Sequence, residues 1–202
     1  IVYALVVATA IGLVLSFLLK TIEPIGNKYK CSFNVFKDIY LLCKEIVEHK
    51  EIMGYLKLIS WFWALGAIYT THLSILTKDY MGGNAQVYSI IIAEFSIAIG
   101  LGSFLCTLLS KGDAKRIYII IGAFGMSVLT LALLALNHTA YTAPDHIGIA
   151  EFIQSPKNII NLGIILGIGI SAGLYSITCY NKLQLISPIA IFSKIIAVNN
   201  IY

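Results

Sequence analysis

Charge is what this chain has least of. Asp, Glu, Lys and Arg together make up 12% of its 202 residues, about half the ~25% typical of a soluble domain. Proline is scarce as well, with four residues, so little interrupts long regular elements. The four cysteines, Cys31, Cys43, Cys106 and Cys179, form no CxxC and no regular spacing, which points away from a disulfide framework or a zinc site. What replaces charge is apolar surface: 58% of residues are hydrophobic and the mean hydropathy is +0.86. A water-soluble globule of this size has too little interior to hide that surface. A soluble enzyme and a nucleic-acid module are therefore excluded. The net charge of +4 is mild; in a membrane protein, what matters is where the positive residues lie.

A hydrocarbon core about 30 Å thick needs roughly 20 apolar residues in helix. Five stretches satisfy this: 1–19, about 56–77, about 85–110, about 117–136 and about 158–180, with a sixth beginning after Pro188, from 189. Residues 1–19 lack the basic flank and small-residue cleavage site of a signal peptide. The chain opens inside an apolar run and stops within another element, so it is expected to be an internal piece of a longer membrane protein. Lys20, Lys28, Lys30, Lys37, Lys44, Lys50, Lys57, Lys111, Lys115, Arg116, Lys182 and Lys194 fall on one side of this threading, and only Lys78 and Lys157 on the other. That bias puts the first group in the cytoplasm, and His138, Asp145, His146 and Glu151 in an external loop.

Residues 20–54 read as a cytoplasmic linker containing an amphipathic helix. From Phe33, apolar Phe36, Ile39/Tyr40, Cys43 and Ile46/Val47 recur at helical spacing, opposite Lys37, Asp38, Lys44, Glu45, Glu48 and His49. Ser32 or Asn34 is the candidate cap. Such a helix either lies in the membrane interface or packs beneath the bundle.

Few residues carry chemistry. Glu94 falls about ten residues into its span, near mid-membrane, where a carboxylate is costly unless paired, protonated or wetted. It reads either as a coupling or substrate-facing acid, or as a protonated packing residue. His72 reads either as a proton relay or as an interfacial polar side chain. Trp61, Trp63 and Tyr69 either line a path for an amphiphile or pack; Tyr175 is a further path candidate. Small-xxx-small pairs Ser96/Gly100, Ala98/Gly102, Gly163/Gly167 and Gly169/Gly173 are expected to bring helices close, because packing drives association in lipid. Gly163 to Gly169 is not a phosphate loop, since it sits mid-span with no strand before it. Glu48-His49-Lys50-Glu51 does not match the HExxH pattern, and Asn137-His138-Thr139, though it fits the glycosylation sequon and faces outward, is dismissed as a short match of a kind that often arises by chance. No nucleophile–base set, metal site or cofactor site is expected, and no enzyme activity.

Three longer strings carry a resemblance. Ser60-Trp61-Phe62-Trp63-Ala64-Leu65-Gly66-Ala67, Tyr80-Met81-Gly82-Gly83-Asn84-Ala85-Gln86-Val87 and Phe95 through Cys106, with Leu109-Ser110, resemble the major facilitator superfamily. Within it they are similar to the lysophospholipid-transporter-like branch, whose members are often fused to a glycerophospholipid acyltransferase. The resemblance implies an all-α integral membrane protein, a helical bundle that is a partial, C-terminal-half major-facilitator fold. Residues 1–19 would be helix six, 20–54 the linker between halves, and 55–202 helices seven to ten with the start of eleven. The turn with Asp113, Lys115 and Arg116 would stand where the family carries its cytoplasmic loop signature. The implied function is a fragment of a secondary transporter moving lysophospholipid or a similar amphiphile across a bacterial inner membrane. The alternative is a membrane-docking module for a fused or partner phospholipid acyltransferase. Implied partners are membrane lipids, the remainder of the transporter and the acyltransferase, with no nucleic acid and no cofactor.

Overall fold

A computed structural model describes residues 2–18, 35–110, 115–142 and 146–201. It divides into two units, α1 (Val2–Phe17) in one and the remaining helices in the other. In chain order these are α2 (Val35–Val47), α3 (Lys50–Ile75, prolonged by a π turn, Leu76–Tyr80), α4 (Ala85–Ser110), α5 (Ile117–Leu136), the short α6 (Ile149–Phe152), α7 (Pro156–Ile186) and, after a 3-10 turn at Ile189–Ile191, α8 (Phe192–Asn199). No strand is present among the described residues.

Taken by itself, α1 is uncharged on every side. Its Ser16 hydroxyl donates to the Gly12 carbonyl at 2.8 Å, the way a hydroxyl is satisfied where no water competes. At about 24 Å the described helix is shorter than the four helices below. Residues 1 and 19 of the expected first span lie outside the described residues, as do the candidate caps Ser32 and Asn34.

Four helices, Lys50–Tyr80, α4, α5 and α7, are long and apolar enough to cross a membrane. This is a multi-pass, all-helical membrane architecture. Their hydroxyl side chains bond back to their own helices, as Ser60 does to Leu56, Thr71 to Ala67, Ser96 to Ile92 and Ser127 to Ala123. These hydroxyls are thus satisfied within their own helices rather than presented to lipid. Two helices run past the expected spans. The helix of the second span begins at Lys50, ahead of residue 56, and its charged first turns bury Ile52, Met53, Tyr55 and Leu56. The fifth runs Pro156–Ile186 rather than 158–180, which places Lys182 on its last turns instead of in a loop. Pro156 occupies the first turn, where its missing N–H costs nothing, and Pro188 stops the helix after Ser187.

The centre of the bundle is α7. Half of its most apolar stretch is buried, against 17% for α5 and 28% for α3 and α4. It runs alongside α4 in the same direction, with Gly169 opposite Ala98, Gly173 opposite Ile99, and Thr178 Oγ1 3.2 Å from Cys106 Sγ. Against α5 it runs oppositely: Asn161 meets Asn137, Gly167 meets Leu129 and Ser171 meets Gly122.

The two ends of the bundle differ. At one, the α3–α4 turn is clasped by the segment after α5: Tyr141 N donates to Asp79 O at 2.7 Å, Ile147 N to Gly82 O at 2.8 Å and Asn84 N to Ile147 O at 3.1 Å. Gly82 has φ 71°, a left-handed conformation that favours glycine. Asn84 Oδ1 then caps α4 by accepting from the amides of Gln86 and Val87. At the other end α2 packs beneath α3 and α8. It buries Ile46 with Ile195 and Val198 at 0% exposure, and Lys194 Nζ lies 2.7 Å from Glu45 Oε2. The stripe of α2 turned inward is half-buried Ile39, Leu42 and Cys43 with fully buried Ile46; Tyr40 and Val47, expected to share it, are 66% and 51% exposed, and the side chain of Phe36 lies outside the described residues.

Candidate functional site

Some of the residues singled out for function lie where α3 meets the other three spans. From α3, Phe62 stacks on Tyr175 with ring centroids 6.2 Å apart, and Trp63 Nε1 donates to Tyr180 Oη at 2.9 Å. The Tyr175 hydroxyl reaches back to α3 and donates to the Leu58 carbonyl at 3.0 Å. One turn-pair further along, Tyr69 shares a 2.6 Å hydrogen bond with Thr130 of α5, and its ring lies 5.9 Å from Phe95 of α4. These contacts tie α3 to the other three spans through side chains that are large, rigid and polar at one end.

This geometry decides between the two readings of some aromatics. Tyr175 is 3% exposed and its hydroxyl is occupied by a backbone carbonyl, so it is an interhelical strut. Tyr69 is likewise engaged in packing. Trp61 and Trp63 remain 60% and 63% exposed, and His72 is exposed on the same helix.

Glu94 is half-buried on α4, and its Oε2 is buried with no hydrogen-bond partner. Its helical neighbours Ile91, Phe95 and Ala98 are buried and apolar. No ion pair joins Glu94 to His72 or to any described basic residue. Among the described residues, no group of three or more His, Cys, Asp or Glu is placed to hold a metal. A small apolar cavity of about 30 Å³ lies near the α4–α6 end, lined by Val87, Ile91, Phe152 and Leu162 among others. It has room for a water or two, and for no amphiphile.

The small residues divide by register. A methyl at Gly102 would overlap the Ile170 carbonyl, one at Gly169 would sit 2.5 Å from Ala98 Cβ, and one at Gly173 would overlap the Ile99 carbonyl. Gly167 faces Leu129 of α5, with 2.8 Å to Cδ1. Gly100 and Gly163 have no atom within 4 Å of a Cβ built on them. Among the described residues the α4–α7 contact belongs to the Ala98/Gly102 and Gly169/Gly173 pairs, and Gly100 and Gly163 lie outside it.

Lys115 and Arg116 precede α5 and are exposed; Asp113 lies outside the described residues, and so does any geometry of that loop signature. Asn137 is 3% exposed, and its amide donates to Asn161 Oδ1 at 2.9 Å and to the Leu133 carbonyl at 2.8 Å. Asn161 returns a 3.1 Å bond to Asn137 Oδ1. The sequon nitrogen is therefore sealed inside the bundle and is no glycan acceptor. This reciprocal amide pair is a connection that sequence reasoning missed; an asparagine five residues into an apolar span was the available signal.

The chain matches no protein-family model, and no curated protein or solved structure is similar to it at a significant level.

Proposed function

We propose that this chain is part of a secondary transporter of the major facilitator type, moving lysophospholipid or a similar amphiphile across a bacterial inner membrane. The strings around Ser60–Ala67, Tyr80–Val87 and Phe95–Cys106 carry the proposal by their resemblance to that family. The geometry is compatible with it in two respects. The α4–α7 contact is backbone against backbone over Gly102, Gly169 and Gly173, a smooth seam of the sort that lets helices tilt as units. Beside it, Glu94 offers a mid-membrane carboxylate with an unpartnered oxygen, a group of the sort that marks ion and substrate pathways. In this reading Glu94 takes up or releases a proton as the helices rock, and exposed Trp63 and His72 face the amphiphile. Substrate would bind near the midplane between this part and the remaining helices.

The test is uptake of a fluorescent lysophospholipid by inverted inner-membrane vesicles containing the complete protein. Deletion of residues 55–202 is expected to abolish uptake, and Glu94→Gln to remove its dependence on a proton gradient. Unchanged uptake after the deletion would end the transport reading; loss of lysolipid acylation alone would favour the membrane-docking alternative.

A further inference from the structure

From Leu58 to Thr77, α3 holds 20 residues without Asp, Glu, Lys or Arg, a rise of about 30 Å, the thickness of a hydrocarbon core. Lys57 and Lys78 therefore bracket the apolar slab. On the Lys57 side the helix continues for two more turns, to Lys50. Those turns stand at the depth of the lipid headgroups.

Lys50, Gly54, Lys57 and Trp61 recur at spacings of four, three and four residues, so they share one stripe of α3. All four are exposed. The stripe lies opposite Ile52, Leu56 and Ile59, which are buried in the bundle. Among the described residues neither lysine forms an ion pair, and a Cβ built at Gly54 meets nothing within 4 Å. Two exposed ammonium groups thus lie on either side of an open position in the helix surface, with the carboxylates of Glu48 and Glu51 also exposed at the Lys50 end. A lysine at a membrane boundary carries its ammonium toward the headgroup layer, which for Lys57 is the side of Gly54. Above it, Trp61, 60% exposed, lies about 6 Å inside the slab and offers an apolar face to an acyl chain.

We infer that Lys50, Gly54, Lys57 and Trp61 form a binding site for an anionic phospholipid. The phosphate sits in the Gly54 notch between the two ammonium groups, and the first acyl carbons lie along Trp61. The occupant is a lipid of the surrounding bilayer, held by charge complementarity and by the depth of the site. A free phosphate would lack the apolar contact. The site rests on the membrane-spanning architecture alone and is independent of the transport proposal.

The test is native mass spectrometry of the full chain released from vesicles of equal phosphatidylglycerol and phosphatidylcholine. The wild type should retain phosphatidylglycerol preferentially. Lys50→Gln with Lys57→Gln should lower its occupancy about thirtyfold, at the usual strength of a lysine near an anionic leaflet. Gly54→Leu, which keeps both charges but fills the notch, should also release the lipid. Lys78→Gln with Lys157→Gln, at the opposite end, should leave it bound, and millimolar inorganic phosphate should not displace it. Equal retention of both lipids would overturn the site. Retention by Gly54→Leu would overturn it as well, by showing diffuse charge attraction in place of a notch, and so would displacement by phosphate. Helical circular dichroism of each variant confirms that a loss of lipid is not a loss of fold.

Discussion

Replacing Gly173 by alanine adds one methyl group where α7 touches α4. That methyl would overlap the Ile99 carbonyl oxygen and stand 2.7 Å from Ser103 N and 3.0 Å from Gly102 C. All three are backbone atoms, which cannot rotate aside, so the helices must separate. Separation also loosens the Cys106–Thr178 contact one turn along. Overpacking a tight contact costs about 1–3 kcal/mol, and an unyielding backbone puts this case near 3. Alanine returns about 1 kcal/mol of helix propensity over glycine, leaving a net loss of about 2 kcal/mol. Gly100→Ala receives the same propensity gain and meets nothing within 4 Å, so it should stabilise by about 1 kcal/mol. For a chain of this length each kcal/mol moves the unfolding midpoint by about 2–4 °C. Thermal unfolding in detergent, followed by circular dichroism, should therefore show Gly173→Ala about 4–8 °C below the wild type and Gly100→Ala about 2–4 °C above it. Equal destabilisation by both substitutions would refute the register assigned to the α4–α7 contact.

Asn137→Leu and Asn161→Leu should each cost about 1–3 kcal/mol by stranding a buried amide, while the double variant should cost less than their sum; unfolding midpoints of the three decide it. Expression in a glycosylating host should leave the chain unshifted on a gel at Asn137, and a glycosidase-sensitive shift would contradict the sealed amide pair. Gly82→Ala forces a side chain onto a left-handed φ of 71° and to 2.5 Å from the Tyr141 ring, so proteolysis between 137 and 148 should accelerate severalfold. Trp63→Phe removes one interhelical hydrogen bond and should lower stability by about 1 kcal/mol without altering helix content.

The spans were legible because lipid allows one pattern only: uncharged runs about 20 residues long, with basic residues at one set of ends. The start of α3 was not legible, because Lys50 and Glu51 look like linker until their neighbours Ile52 and Met53 are found buried. Nor was the packing register. Ser96/Gly100 and Ala98/Gly102 satisfy the same spacing, and only the position of α7 selects the second pair. Tyr175 and Asn137 show the same limit, since the first finds its partner 117 residues away and the second 24 residues away. A local pattern names a polar group without naming what satisfies it. Glu94 was legible as an anomaly, and the structure adds that one of its oxygens is buried without a partner.

The membrane architecture requires α3, α4, α5 and α7 to cross the bilayer in alternation. Single cysteines placed in a cysteine-free chain at Lys115, Lys182, His138 and His146, and labelled in sealed cells with a membrane-impermeant maleimide, measure this directly. The account predicts labelling at His138 and His146 from outside, with Lys115 and Lys182 labelled only after lysis. Labelling of Lys115 together with His138 in sealed cells would contradict it.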